Sequence, residues 1–187
     1  MHRSNTCENV DVDIPARAAT DRYLAGSHIQ LSYSFDVDLG ELIPGHHVIA
    51  RGIGLARSVP PSLAESSSLP SGVVENVKQS NQMPRDQVHF EHVPGLSRGH
   101  VTPDWGFEAR DDVGTAYNKD DQGAYDGHSG GISTHAVREL GGKIPPNASR
   151  LNLRIIPGYD GTGHQWRPPE PWRRELVIDL RTGNPID

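Results

Sequence analysis

The sequence predicts an all-β fold, an immunoglobulin-like antiparallel β-sandwich of about seven strands with long loops. Three observations carry that expectation. Apolar and polar residues alternate in several short runs, and side chains two apart on a strand share a face that can line a core. Gly and Pro, 20 and 15 of 187 residues, punctuate the chain densely, while the hydrophobic share is only 34%. Short strands separated by many turns fit that composition better than long helices do.

In chain order, residues 1–20 are polar and small and read as a flexible N-terminal arm that can dock on a partner. A single domain is expected over 21–182, with 183–187 as a C-terminal tail. The first strand is expected over 28–37, where Ile29, Leu31, Tyr33, Phe35 and Val37 face one way and Gln30, Ser32, Ser34 and Asp36 the other. Gly40, Pro44 and Gly45 make 38–47 a turn. A second strand follows over 48–59, with Gly52 and Gly54 marking a bulge or a close backbone approach. The stretch 60–84, with its paired prolines and the serine run at 66–68, reads as a long loop; 73–79 offers a helical turn or two at most.

Residues 88–93 alternate again, setting Val88, Phe90 and His92 against His89, Glu91 and Val93. Trp105, Phe107 and Ala109 then alternate with Gly106, Glu108 and Arg110, before Asp111, Asp112, Gly114, Thr115 and Tyr117 turn the chain. A strand at 132–137 is expected inside a Gly-rich stretch. Two more follow at 149–156, carrying Leu151, Leu153 and Ile155, and at 174–181, carrying Leu176, Ile178 and Leu180. No internal repeat of fixed period is evident.

The order Trp105, then 111–117 (Asp-Asp-Val-Gly-Thr-Ala-Tyr), a Gly-rich loop, 145–148 (Pro-Pro-Asn-Ala), Leu151-x-Leu153 and Leu176-x-Ile178-x-Leu180 resembles a group of uncharacterised actinobacterial proteins. The resemblance spans about 104–180 and implies an immunoglobulin-like β-sandwich. It implies no catalytic residues.

Composition narrows the function classes. The net charge is −6, and most of the imbalance lies between Asp104 and Asp126, where seven acids face Arg110 and Lys119. No basic face is available as a phosphate footprint, so nucleic acid is not an expected partner. No apolar run is long enough for a membrane-spanning helix, and the mean hydropathy is −0.58. Residues 1–20 lack the apolar segment of a secretory signal, so a soluble cytoplasmic protein is expected. The 15 arginines against 3 lysines read as GC-rich, bacterial coding. Cys7 is the single cysteine, which leaves no intrachain disulfide and no cysteine-based zinc site.

Five motifs invite chemistry. Asp111, Asp112, Asp120 and Asp121 supply oxygen ligands at a density that Ca2+ can use, although the EF-hand spacing is missing. The competing reading is turn chemistry, since Asp hydrogen-bonds nearby backbone and Gly supplies positive φ. The Gly-rich 158–163 is likewise a hairpin loop rather than a nucleotide motif. Ser129, in Gly-His-Ser-Gly-Gly at 127–131, resembles the nucleophile segment of chymotrypsin-like serine proteases, but no histidine upstream sits in a matching context. His89 and His92 would share a metal on a helix and point apart on a strand. Trp166 and Trp172, among prolines, are candidate binding residues for a partner or a sugar ring; one of them closing the sandwich is the plainer reading. The expected function is a non-enzymatic binding or structural module acting through protein–protein contact or self-association. The alternatives are a serine hydrolase on Ser129 and a calcium-dependent module on the acidic loop.

Overall fold

The computed structural model describes residues 16–27, 30–56, 85–96, 105–118, 124–126, 132–158, 164, 167–168, 172–173 and 175–186. Alternation produces strands where it was expected, and they stack as two antiparallel sheets in a β-sandwich. Strands β1 (Leu31–Ile43), β2 (His46–Ala56), β3 (Arg85–Val93), β6 (Thr134–Glu139) and β5 (Ala124–Asp126) form one sheet in that spatial order. Strands β4 (Trp105–Asp111), β7 (Arg150–Pro157), β8 (Glu175–Asp179) and β9 (Asn184–Ile186) form the other. One helix, α1 (Ala18–Ser27), precedes them.

The alternating residues meet between the sheets. Phe35, Val37, Leu39, Val48, Ala50, Val88 and Phe90 face Phe107, Leu151, Leu153, Ile155, Leu176 and Ile178, all buried in one core. Phe90 centres an aromatic group, its ring 5.0 Å from Trp105 edge-on and 5.6 Å from Phe107. The Arg138 guanidinium caps it, 4.4 Å over the Trp105 ring.

Strand β2 keeps both Ala50 and Ile53 in this core although they are three apart. A bulge between Ala50 and Gly52 supplies the extra residue, Arg51, and directs it to the opposite face. Gly52 is required there, because a Cβ would run into the Tyr33 carbonyl oxygen of β1. The 140–144 turn is tied to β3 by Asp86, whose carbonyl accepts from Leu140 at 3.0 Å and whose carboxylate accepts the Ile144 N–H at 2.5 Å. Burial raises the pKa of that carboxyl, against the Ile144 hydrogen bond and Lys143, which lower it.

The structure corrects the sequence reading at several boundaries. The arm expected over 1–20 gives way to α1 from Ala18, and the tail expected at 183–187 contains β9. Strands of three residues such as β5 and β9 are too short to leave a period. The turn expected over 38–47 shrinks to Pro44 and Gly45, because Leu39 and Leu42 are buried and carry β1 onward across register shifts. The strand expected at 132–137 lies instead at Thr134–Glu139, with Ile132 72% exposed. Its residues are buried on both faces, which erases the alternation that would have fixed its ends. The 60–84 loop lies outside the described residues.

Phe90→Ala removes the centre of the aromatic group and is expected to lower the unfolding free energy by about 3–5 kcal/mol. Urea denaturation that returns a lower midpoint at unchanged slope confirms it.

Candidate functional site

The strongest concentration of polar chemistry lies between α1 and the outer face of the five-stranded sheet. Strand parity puts it there. Residues that alternate with the core set point outward: Asp36 on β1, Ile49 and Arg51 on β2, His89 and Glu91 on β3, His135 and Val137 on β6. Ile49 and Val137 are buried outside the main core, as a covered outer face requires.

Two arginines and two carboxylates form one charge-balanced row. Arg51, with no exposed side-chain surface, donates from Nη1 to Asp36 at 2.9 Å and from Nη2 to Glu91 at 2.7 Å. The second Glu91 oxygen accepts the Thr20 N–H at 2.6 Å. Thr20 lies in the first turn of α1, where N–H groups lack intrahelical partners, so Glu91 caps the helix and complements its dipole. Arg17, just before the helix, clasps Asp36 at 3.0 and 3.1 Å and donates to the Phe35 carbonyl at 3.0 Å. At the other end of the row, His89 Nδ1 and His135 Nε2 are 3.1 Å apart. Tyr23 of α1 stacks on His135 at 4.0 Å between ring centroids. Desolvation of His89 pushes its pKa down to about 4. The arrangement holds a helix against a sheet and keeps a pair of imidazoles dry.

The residues singled out from sequence are dispersed. Asp111 accepts from Val113 N–H (3.1 Å), Thr115 N–H (2.9 Å) and the Tyr117 hydroxyl (3.0 Å). Burial opposes ionisation of Asp111, yet these hydrogen bonds outweigh it and lower its pKa. Asp112 accepts from the Ser149 hydroxyl, from Ser149 N–H at 2.9 Å and from Arg150 N–H at 3.2 Å, which hold its pKa down to about 2. Both carboxylates thus join β4 to its turn and to β7. Asp120, Asp121, Ser129 and Trp166 lie outside the described residues. Trp172 is half-buried, packs against the core and bridges Gly40, while Arg173 donates its N–H to Leu39 at 2.7 Å. Trp172 thus packs against the core beside the edge strand β1.

Histidines follow the same pattern. His89 and His92 point to opposite faces of β3, as expected of a strand. His46 meets the Pro94 carbonyl at 2.7 Å, and His47 meets Asp38 at 2.9 Å. Among the described residues no group of three His, Cys, Asp or Glu side chains is placed to hold a metal ion. Sequence reasoning missed Arg17, Tyr23, Asp36, Arg51, Glu91 and His135 as members of one site. A usable signal was present: Arg51 interrupts the apolar run from Val48 to Ile53, and Glu91 lies inside a strand.

Comparison with protein families, curated proteins and solved structures gives no match for this chain.

Glu91→Ala leaves the Arg51 charge buried and is expected to cost about 3–5 kcal/mol. Combining Arg51→Met with Glu91→Leu is expected to restore most of that loss, since an apolar pair carries no desolvation penalty. Urea unfolding of both variants checks the ordering.

Proposed function

We propose that this chain is a non-enzymatic β-sandwich module that acts by protein–protein contact, self-association included. The observation carrying this reading is the contrast between the two outer sheet faces. One is covered over β3 and β6 by the chain's own helix. The other, on the four-stranded sheet, presents Glu108, Arg110, Arg154, Glu175, Val177 and Ile186, exposed or half-buried.

Register organises that face. Glu108 opposes Arg154, and Arg154 opposes Glu175, giving a row of alternating charge across three strands with Arg154 3.5 Å from Glu108. Arg154 is 64% exposed, so the row remains available to an incoming partner. Beside it Val177 pairs with Ile186 as a small apolar patch. An apolar centre rimmed by charges of both signs is the pattern of a modest protein interface. The alternating row discriminates among partners by charge complementarity more than it adds affinity. No helix of the described residues is long and apolar enough to cross a membrane.

Sedimentation velocity of the full chain, from low to high micromolar concentration, tests the reading. The sedimentation coefficient is expected to rise with concentration, and Val177→Lys combined with Ile186→Lys to weaken association by roughly tenfold or more. A chain that stays monomeric throughout, or one labelled specifically at Ser129 by a fluorophosphonate probe, contradicts it.

A further inference from the structure

The polar seam under α1 carries a second inference, independent of the binding reading. His89 is fully buried and His135 nearly so, and among the described elements α1 is the one that covers them. The opposite side of the same sheet is the packed core. Among the described elements, it is the departure of α1 that opens the pair to water. At 3.1 Å the two imidazoles share one hydrogen bond while neutral; protonating both would place two cations in contact.

Among the described residues, the charged groups near the pair are already engaged with one another. Facing the pair are Glu91 on the same side of β3, Arg51 from β2, and Tyr23 and Thr20 from α1. Glu91 and Arg51 are already bound to each other at 2.7 Å. Glu139 lies at the far end of β6, where Gln87 donates to it at 3.1 Å, and Arg17 and Asp36 neutralise each other at the opposite end. The remaining charges of α1, Asp21 and Arg22, are exposed.

The helix has little stability of its own. It has ten residues, a length at which an isolated helix is marginal in water. Its described attachments combine polar contacts, the Thr20 N–H on Glu91, the Arg17 clasp just before it and the Tyr23 ring on His135, with cover over the buried Ile49 and Val137. The sandwich core, in contrast, is apolar and contains none of these groups.

We propose that α1 is an acid-released cover, freed from β3 and β6 when the His89–His135 pair takes up protons, while the sandwich beneath stays folded. The released state exposes a sheet face carrying Ile49, Arg51, His89, Glu91, His135 and Val137. The direction follows from linkage. An exposed His89 titrates near 6.5 and the covered one near 4, so the contribution to docking is complete above 6.5 and is lost as pH falls toward 4.

Amide hydrogen exchange of the full chain, read by mass spectrometry and corrected for intrinsic exchange rates, tests this. Between pH 7 and pH 5, protection of the α1 amides is expected to fall roughly twentyfold for one histidine moving between 6.5 and about 4. Amides of β7 and β8 keep their protection over the same range. In His89→Gln, which keeps a polar side chain and cannot take up the charge, the α1 response shrinks by at least half. Joint loss of protection in α1, β7 and β8, an α1 response absent between the two pH values, or a His89→Gln variant with the full response overturns the proposal. The wild-type profile decides the matter by itself if His89→Gln does not fold.

Discussion

The buried ion pair between Arg51 and Glu91 is the constraint around which the first sheet and its helix are arranged. Its net energetic contribution is small or unfavourable against an apolar pair, because both charges leave water. Its consequence is positional. Arg51 faces outward as the residue after the core Ala50, the bulge in β2 returns Ile53 to the core, and Glu91 meets Arg51 in the observed β2–β3 register. A one-residue slip of β3 would turn Glu91 into the apolar core and leave Arg51 with Asp36 as its remaining described carboxylate partner. The free oxygen of Glu91 then fixes where α1 begins, through the Thr20 amide. One carboxylate thus couples strand register to helix placement.

The two faces of the five-stranded sheet divide the work. Inward, Phe90 anchors the aromatic group and the alternating aliphatic residues fill the space between sheets. Outward, the same strands present charged and imidazole groups, satisfied largely by one another and by the start of α1. The four-stranded sheet keeps the simpler plan of an apolar inner face and a polar outer one. Among the described residues, that asymmetry sets an outer face partly covered by a helix of the chain against one with exposed charged side chains.

Much of the sandwich was legible because period-two alternation is a local property. Leu151, Leu153 and Ile155, or Trp105, Phe107 and Ala109, announce a half-buried strand without reference to any neighbour. Thr134–Glu139 does not, since polar and apolar residues share both of its faces, Thr134, Ala136 and Arg138 on one and His135, Val137 and Glu139 on the other. The seam was illegible for a related reason. Arg17, Asp36, Arg51, Glu91 and His135 are scattered over more than a hundred residues, and only register brings them together. At the acidic turn the described part follows the turn-chemistry reading: oxygens of Asp111 and Asp112 accept from N–H and O–H donors of the adjoining turn and of β7, while Asp120 and Asp121 lie outside the described residues.

The account rests on α1 being docked over the imidazole pair at neutral pH, with Tyr23 as the contact between helix and sheet. Nuclear Overhauser spectroscopy of the full chain at pH 7 measures this directly. Cross-peaks are predicted from the Tyr23 ring protons to the His135 ring, 4.0 Å away between centroids, and more weakly to His89 at 6.1 Å. Their absence, in a sample that shows the cross-strand peaks between β7 and β8, would contradict it.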